Sequence, residues 1–281
     1  MFFEVKGAII MAAGLSSRFA PLSFEKPKGL YEVKGEVLIE RQIRQLRDVG
    51  IENITIVTGY KGEMFNYLKD KFQVSLIHND KFNTRNNNYS LYLVRELLYN
   101  SYICSADNYF SVNPFESTVD DAYYATIYKK GNTDEWCVKT NAEGYIEDVT
   151  IGGENSLIMM GHVFFSEPFA ETFKRILERE CDNPESYGKL WEQLYIEHIN
   201  ELKMKARIYD IEEIYEFDSL DELREFDHSY LKNTRSTVIK KLCDQWKVSE
   251  DRLTTFSPII DGGNIKGFIY KLDNVKHTYM Y

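Results

Sequence analysis

Positive charge is in short supply in this chain. Its 281 residues carry 34 Lys and Arg against 44 Asp and Glu, a formal net charge of -10. That balance disfavours a general nucleic-acid or acidic-membrane surface, because either would need broad positive potential. Any polyanion the chain binds must meet cations placed locally. Cysteine is also scarce: Cys104, Cys137, Cys181 and Cys243 are scattered and form no CxxC pair, which argues against a structural zinc site and against a disulfide framework. A reducing cytoplasm is the simplest setting. Long apolar runs are missing too. The one near the N-terminus is too short to span a bilayer and follows Glu4 and Lys6, so neither an anchor nor a signal peptide is expected and the chain reads as soluble. The turn after that run is neither GxGxxG nor GxxxxGK[ST], which disfavours a dinucleotide cofactor and a Walker-type NTPase.

What is present begins at residues 8 to 28, AIIMAAGLSSRFAPLSFEKPK. Ala8 to Met11 are consecutive apolar residues, as a strand buried on both faces of a parallel sheet requires. Ala12, Ala13 and Gly14 lack bulk, and with Ser17 they form a turn whose N–H groups can point at one spot and receive phosphate oxygens. Arg18 and Lys28 supply the cationic charge. An ordinary strand-to-helix turn with two surface bases would use similar residues, but the order Gly14, Arg18, Pro27, Lys28 favours a triphosphate cradle.

Strand-like and helix-like patterns alternate through the first hundred residues, the mark of βαβ units and a parallel sheet. Strands are expected at Gly7–Met11, Asn53–Thr58, Val74–His78 and Ser101–Ala106, with helices at Leu38–Asp48, Glu63–Lys71 and Ser90–Leu98. The middle reads as four strands, Tyr123–Tyr128, Trp136–Lys139, Ile146–Ile151 and Met159–Phe165, separated by turns such as Gly152-Gly153. Helices at Pro168–Glu180 and Leu190–Leu202, strands at Ala206–Tyr209 and Ile214–Glu216, and a helix capped by Ser219 with Glu222 follow. From about residue 232 the pattern changes to a short helix, Thr237–Trp246, a loop with Pro258 and Gly262-Gly263, and a strand, Lys266–Leu272. The expected division is 1–232 for the main domain and 233–281 for an incomplete tail.

Three carboxylates are candidates to hold a cation beside bound phosphates, since chemistry at phosphate rests on positioning and charge neutralisation. Asp107 lies just past a buried strand, at the carboxyl edge where ligands bind in open α/β folds, a position that an N-cap or turn aspartate can also take. Glu216 and Asp218 are two apart on a strand and so face one side, where they can converge on a cation; Asp218 can also simply start the next helix. For a nucleotide base edge, the amides and hydroxyls of Asn79 and of the run Asn86-Asn87-Asn88-Tyr89-Ser90, with Gly59 and Tyr60, offer donors and acceptors. An Asn-rich stretch is also a common lead-in to a helix cap.

The segments MAAGLSSRFAPL, EKPKGLYEV, LIERQIRQL, GIENITIVTGY, HNDKF, NNNYSLYLV, ADNYF, DEWCV and IYEFDSLDEL, in this order, resemble the nucleotidyltransferases with the AAGxxxR…PK signature. The likeness is closest to the bacterial CTP:phosphocholine cytidylyltransferases and extends over residues 6 to 230. It implies an α/β, Rossmann-like mixed sheet of the nucleotidyltransferase type with a small C-terminal α+β appendage, and a reaction joining CTP to a small phosphorylated or phosphonylated amine with release of pyrophosphate. The resemblance further implies Mg²⁺ held by Asp107, Glu216 and Asp218, with Lys28 at the α-phosphate or the departing pyrophosphate and Arg18 at the outer phosphates. Ala12, Ala13, Gly14, Ser17, Gly59, Tyr60, Asn79, Asn87 and Ser90 would face the nucleotide. Trp136 matches an aromatic that meets the acceptor's ammonium.

The match departs from the family at Gly188-Lys189-Leu190-Trp191, where an Asp and a Tyr precede the Trp in the phosphocholine enzymes. The cation box would then be rebuilt from Tyr187, Trp191 or Tyr195, or the acceptor would be a primary amine such as 2-aminoethylphosphonate. A non-catalytic nucleotide-binding regulatory module is the alternative from another class. The tail resembles the opening of a choline-kinase-like phosphotransferase. Its two readings are a fusion cut within the kinase part, which is favoured, and a remnant packed on the first domain; a kinase partner, fused or separate, goes with the first. Oligomeric state is not legible.

Overall fold

The computed structural model describes residues 2–262 and 264–281. It divides into two compact units: residues 1–14 with 39–216, and residues 15–38 with 217–281. These bounds differ from the division expected at residue 232, because segments 15–38 and 217–232 pack with the tail.

The first unit takes its shape from β1 (Gly7–Ala12), α1 (Leu38–Asp48), β2 (Ile54–Thr58), α2 (Tyr67–Phe72), β3 (Ser75–His78), α3 (Asn87–Leu93), β4 (Ser101–Ser105), β5 (Tyr109–Phe110), β6 (Tyr123–Thr140), β7 (Ile146–Phe165), α4 (Glu167–Glu180), α5 (Trp191–Glu197), β8 (Lys205–Tyr209) and β9 (Ile214–Tyr215). Among the described residues the main sheet has seven strands in the order β8-β6-β7-β4-β1-β2-β3. β1 pairs in parallel with β2 and β4, while β7 runs antiparallel to β4. This is the mixed sheet expected. Ala8, Ile9 and Ile10 are buried as a central strand requires, and α1 lays Leu38, Ile39, Ile43 and Leu46 into the core. A second layer of Phe169, Phe173, Ile176, Leu177 and Leu194 from α4 and α5 closes over Ile103, Val163 and Phe165.

Three local expectations are corrected. The four middle strands are two long ones, β6 and β7, because the turns expected near residues 129–135 and 152–155 are absorbed as register shifts within one hairpin. The helix expected at Ser90–Leu98 begins at Asn87, since the Asn86 side chain caps it by accepting the Asn87 N–H, and beyond Leu93 the chain tightens into a 3₁₀ turn. The helix expected to reach Leu202 stops at Glu197, where His198 leaves helical geometry at φ -117.

The second unit contains α6 (Leu220–Phe226), α7 (Thr237–Trp246) and a three-stranded antiparallel sheet, β10 (Leu253–Asp261), β11 (Asn264–Leu272) and β12 (Val275–Met280). Ser219 and Ser236 cap the two helices through the N–H groups of Glu222 and Ile239. The loop expected around Pro258 is instead strand β10. It tolerates proline because it is an edge strand, with Pro258 opposite Phe268. Gly263 of the expected glycine loop lies outside the described residues. No helix among the described residues is long and apolar enough to cross a membrane.

One polar group lies deep in the first unit. His162, on β7, is fully buried, with Nδ1 3.7 Å from Cys104 Sγ and Nε2 3.0 Å from Tyr123 Oη. Burial, helped by the charge of Arg207, drives its pKa down to about 3, so the folded chain holds it neutral. The unfolded chain protonates His162 more readily, so this group's stabilising effect is complete above pH 6.5 and is lost as pH falls from about 6.5 toward 3. Urea unfolding as a function of pH should therefore show wild type losing stability relative to His162→Phe at up to about 1.4 kcal/mol per pH unit in that window. Parallel pH profiles for the two proteins would refute the assignment.

Candidate active site

The carboxyl edge of the first unit's parallel strands is where the signature begins. Ala12 and Ala13 are buried at the end of β1, and a Cβ added at Gly14 would meet nothing within 4 Å. Open space therefore stands in front of the turn, as close approach of a ligand needs. Gly59, at the end of β2, is small for another reason. A Cβ there would fall 2.8 Å from the Ala13 carbonyl oxygen and 2.7 Å from Phe82 Cβ, and the next residue, Tyr60, donates its N–H to that same carbonyl at 3.2 Å. This glycine lets two strand ends pack closely, and Tyr60, part-exposed, stands beside Phe82.

The polar residues expected to read the base serve the framework first. Asn79 is 1% exposed; its amide donates to Ser90 Oγ at 2.9 Å, and its oxygen accepts the Lys81 N–H at 2.8 Å. The structure thus brings Asn79 and Ser90 together with each other. The Asn run braces the segment before α5: Asn86 N–H donates to the Tyr187 carbonyl, Asn86 Nδ2 to the Gly188 carbonyl, and Asn88 Nδ2 to the Ser186 carbonyl. Asn87 Oδ1 accepts the Trp191 N–H at 2.7 Å, and its Nδ2 donates to Glu192 at 3.3 Å.

That brace presents a residue that sequence reasoning passed over. Glu192, part-buried, accepts hydrogen bonds from Asn87 and from Tyr124 Oη, at 3.3 and 3.4 Å. Among the described residues it has no Lys or Arg partner in an ion pair. Burial is the leading influence on its carboxyl, and it outweighs those hydrogen bonds to push the pKa up to about 7. A buried carboxylate bonded only by neutral donors suits a cation supplied by a ligand. In the sequence, LWEQL shows only a helix start, where an acidic residue is ordinary.

The aromatic residues named for the acceptor divide. Trp191 is 4% exposed and packs among Tyr124, Phe165 and Phe173, so its ring belongs to the core. Tyr195 is wholly buried. Tyr187 already carries a cation, with the Arg85 guanidinium 3.8 Å from its ring centroid. Trp136 remains part-exposed on β6, opposite Ile151.

Two of the three carboxylates share one strand ladder. β5 and β9 pair through Tyr109 with Tyr215 and Phe110 with Ile214. Asp107 and Glu216 therefore lie just beyond the same end of that ladder. The turn carrying Asp107 is held to β1 by the Ala106 N–H on the Met11 carbonyl, at 3.1 Å, and to α1 by Gln42 Nε2 on the carbonyls of Ser105 and Asn108. A side chain at Gly161 would strike Ser105 Oγ at 2.5 Å, so β7 needs glycine where it passes this turn. Charge links the two ends of the site as well. Burial raises the Tyr124 hydroxyl pKa, and Glu192 and Glu216 raise it further. Among the described residues no group of three or more Asp, Glu, His or Cys gathers as a metal site. A pair of carboxylates nonetheless fits Mg²⁺, which commonly takes one or two from the protein and the rest of its oxygens from phosphate and water.

The signature's cations belong to the second unit. Ser17, Arg18 and Phe19 form a 3₁₀ turn, with Arg18 Nη1 2.7 Å from Asp218 Oδ2. The structure brings these two together as an ion pair, where the sequence expected them to serve phosphate and metal separately. Lys28 is 6% exposed, its Nζ 4.9 Å from the centre of the Phe19 ring.

The MobA-like NTP transferase domain family matches residues 8–96. The choline-phosphate cytidylyltransferase of Streptococcus pneumoniae is 36% identical over 226 residues, 80% of this chain and 98% of that one. The 2-aminoethylphosphonate cytidylyltransferase of Lancefieldella rimae is 33% identical over 237 residues, covering 83% and 96% of the two chains. The solved structure of the pneumococcal CTP:phosphocholine cytidylyltransferase superposes with a TM-score of 0.77 at 36% identity, over 81% of this chain and 99% of that one. The inositol-1-phosphate CTP transferase of T. maritima shares the fold, with a TM-score of 0.59 at 17% identity. The chain belongs to the nucleotidyltransferase family that holds the bacterial choline-phosphate and 2-aminoethylphosphonate cytidylyltransferases.

Proposed function

We propose that this chain is a cytidylyltransferase that converts CTP and phosphocholine into CDP-choline and pyrophosphate, with Mg²⁺. The observation that carries the reading is the ordered signature on its structural supports: open space at Gly14, a buried Lys28, and Asp107 beside Glu216 at one ladder end. Similarity over nearly the whole length of the pneumococcal enzyme supports the choice of nucleotide and acceptor.

In this reading a phosphate oxygen of the acceptor attacks the α-phosphorus of CTP. The new P–O–P bond forms as the bond to the β-phosphate oxygen breaks, and pyrophosphate leaves with that electron pair. The attacking oxygen is already ionised, so no protein base is needed. Ala12, Ala13 and Gly14 let backbone approach the nucleotide, Arg18 and Ser17 serve its outer phosphates, and Lys28 offsets charge at the α-phosphate and the leaving group. Little water surrounds that lysine, so its charge acts at low screening. Asp107 and Glu216 would hold Mg²⁺, which when bound would supply positive charge to offset that of the phosphates. Asp218 is the counter-ion of Arg18 in this structure, and because the strand expected to reach Glu216 ends at Tyr215, the alternation expected to turn Asp218 and Glu216 to one face is absent, which leaves its place as a third ligand to the resemblance. Glu192 binds the acceptor's positive end, with Trp136 offering an aromatic face.

A specific observation favours a second acceptor. Trp191 and Tyr195 lie in the core and Tyr187 faces Arg85, so the ammonium site centres on a carboxylate more than on rings. A primary ammonium, as in 2-aminoethylphosphonate, would donate hydrogen bonds to Glu192, which a quaternary one cannot do. The kinase-like reading of the tail has only its sequence pattern behind it, and no ATP consumption with free choline is expected. The four free thiols agree with a cytoplasmic setting.

Pyrophosphate release from CTP with each acceptor separates the two readings. A higher kcat/KM with phosphocholine is expected, a higher value with 2-aminoethylphosphonate reverses the assignment, and activity with neither sinks both. Lys28→Met should lower kcat by about 10²-fold or more without loss of fold, and Asp107→Ala should abolish turnover. Unchanged turnover in Asp107→Ala would refute the metal assignment. Glu192 adds a pH signature. Its carboxylate form becomes complete as pH rises through about 7, so acceptor KM should fall across that range in wild type. Glu192→Gln should keep the acceptor KM about tenfold higher, remove that part of the pH dependence and leave the KM for CTP unchanged. An unaltered acceptor KM would exclude Glu192 from the ammonium site.

A further inference from the structure

The second unit contains an arrangement that the transfer reaction, as assigned above, does not use. Glu25 lies in the segment between Arg18 and Lys28, three residues before the lysine. Its carboxylate receives four hydrogen bonds from the start of α7: Ser236 Oγ at 2.6 Å, Thr237 N–H at 2.9 Å, Thr237 Oγ1 at 2.8 Å and Val238 N–H at 3.2 Å. Burial raises this carboxyl's pKa, but the bonds from Ser236, Thr237 and Val238 outweigh it and hold the pKa below the usual range. An anion at the N-terminus of a ten-residue helix is also favoured by the helix dipole. Three further ties connect the same two stretches: the Lys34 N–H to Asp227 at 2.8 Å, Tyr230 Oη to the Glu32 carbonyl at 2.8 Å, and Arg235 to Glu32 at 3.5 Å. Among these ties Glu25 stands nearest to Lys28 in sequence.

We propose that Glu25 is a positioning residue for Lys28, and that the C-terminal segment acts in nucleotidyl transfer by holding the signature loop through α7. This rests on the reading that Lys28 acts on CTP. A loop of this length has many conformations, and fixing it costs conformational entropy. Four hydrogen bonds converging on one carboxylate fix the backbone within a turn of Lys28. The C-terminal segment is then part of the catalytic apparatus: what loosens the start of α7 also loosens the lysine's setting.

The test uses the full-length chain with Glu25→Ala, Glu25→Gln and Thr237→Val, the last of which keeps the Ser236 bond and the helix cap. Steady-state kinetics with CTP and acceptor are read beside amide hydrogen exchange over residues 26–31. For Glu25→Ala, kcat should fall about tenfold or more, acceptor KM should stay within twofold, and exchange at 26–31 should quicken. Glu25→Gln should recover part of the rate, because an amide oxygen still accepts from the helix, and Thr237→Val should shift rate and exchange in the same direction by less. Rate loss without faster exchange at 26–31, or an equal rise in acceptor KM, would overturn the positioning role. So would wild-type kinetics in folded Glu25→Ala. If wild type itself releases no pyrophosphate from CTP, the reading of the function fails, while the exchange measurement still decides whether Glu25 fixes the loop.

Discussion

Two polyanions have to be joined by a chain that is itself an anion. With a net charge of -10, the protein cannot draw CTP and a phosphorylated amine together by its overall field, so each positive charge it uses must be placed and kept in place. In the reading proposed, Lys28 would meet that demand by burial, since an ammonium with little water around it is screened less than one at the surface. Arg18 would meet it differently. It lies exposed and paired with Asp218, and an exposed pair of this kind contributes little to stability, so a phosphate can compete for the guanidinium at small cost.

The acceptor end follows the opposite rule. There the ligand is cationic and the protein supplies the anion, so a carboxylate held by neutral donors gives better discrimination than one already matched to a lysine. In the reading proposed, Glu192 fits that description, and burial raises its pKa beyond what its hydrogen bonds recover. The two hydrogen bonds that orient it come from Asn87 and Tyr124. Asn87 therefore has two tasks, fixing the Trp191 N–H and aiming Glu192, and Tyr124 lies within the influence of both Glu192 and Glu216. Trp191 is then best understood as the packed foundation under Glu192, a role in which the apolar bulk of its ring matters more than its π face.

The sheet was legible because its cause is local. Four apolar residues before a turn, or Leu38, Ile39, Ile43 and Leu46 at helical spacing, leave few alternatives once a parallel sheet is assumed. The signature was legible for a similar reason, as Gly14, Arg18 and Lys28 stand in a fixed order. What could not be read depends on partners distant in sequence. Asn79 and Ser90 are suited by chemistry to a pyrimidine edge, and nothing within eleven residues of either reveals that they bond to each other. Glu192 was hidden because an acidic residue at a helix start has an ordinary explanation. Tyr187 was misleading because Arg85, which covers its ring, lies about a hundred residues earlier. Composition cannot separate an aromatic waiting for a cation from one that already has it.

Chain order also concealed where the signature loop belongs. Leu15 to Leu38 follows directly on β1, and sequence proximity assigns it to the parallel sheet. Its hydrogen bonds assign it to the C-terminal segment. The Glu25 carboxylate, the Glu32 carbonyl and the Lys34 N–H all find partners between residues 227 and 238. A loop that must present a charge to a substrate gains by such distant supports, since each removes freedom the loop would otherwise lose on binding. Preorganisation of this kind places a constraint on the tail. Ser236 and Thr237 can vary only in ways that keep donors at the start of α7, because the part-buried Glu25 carboxylate would otherwise lose the bonds that hold its segment to that helix.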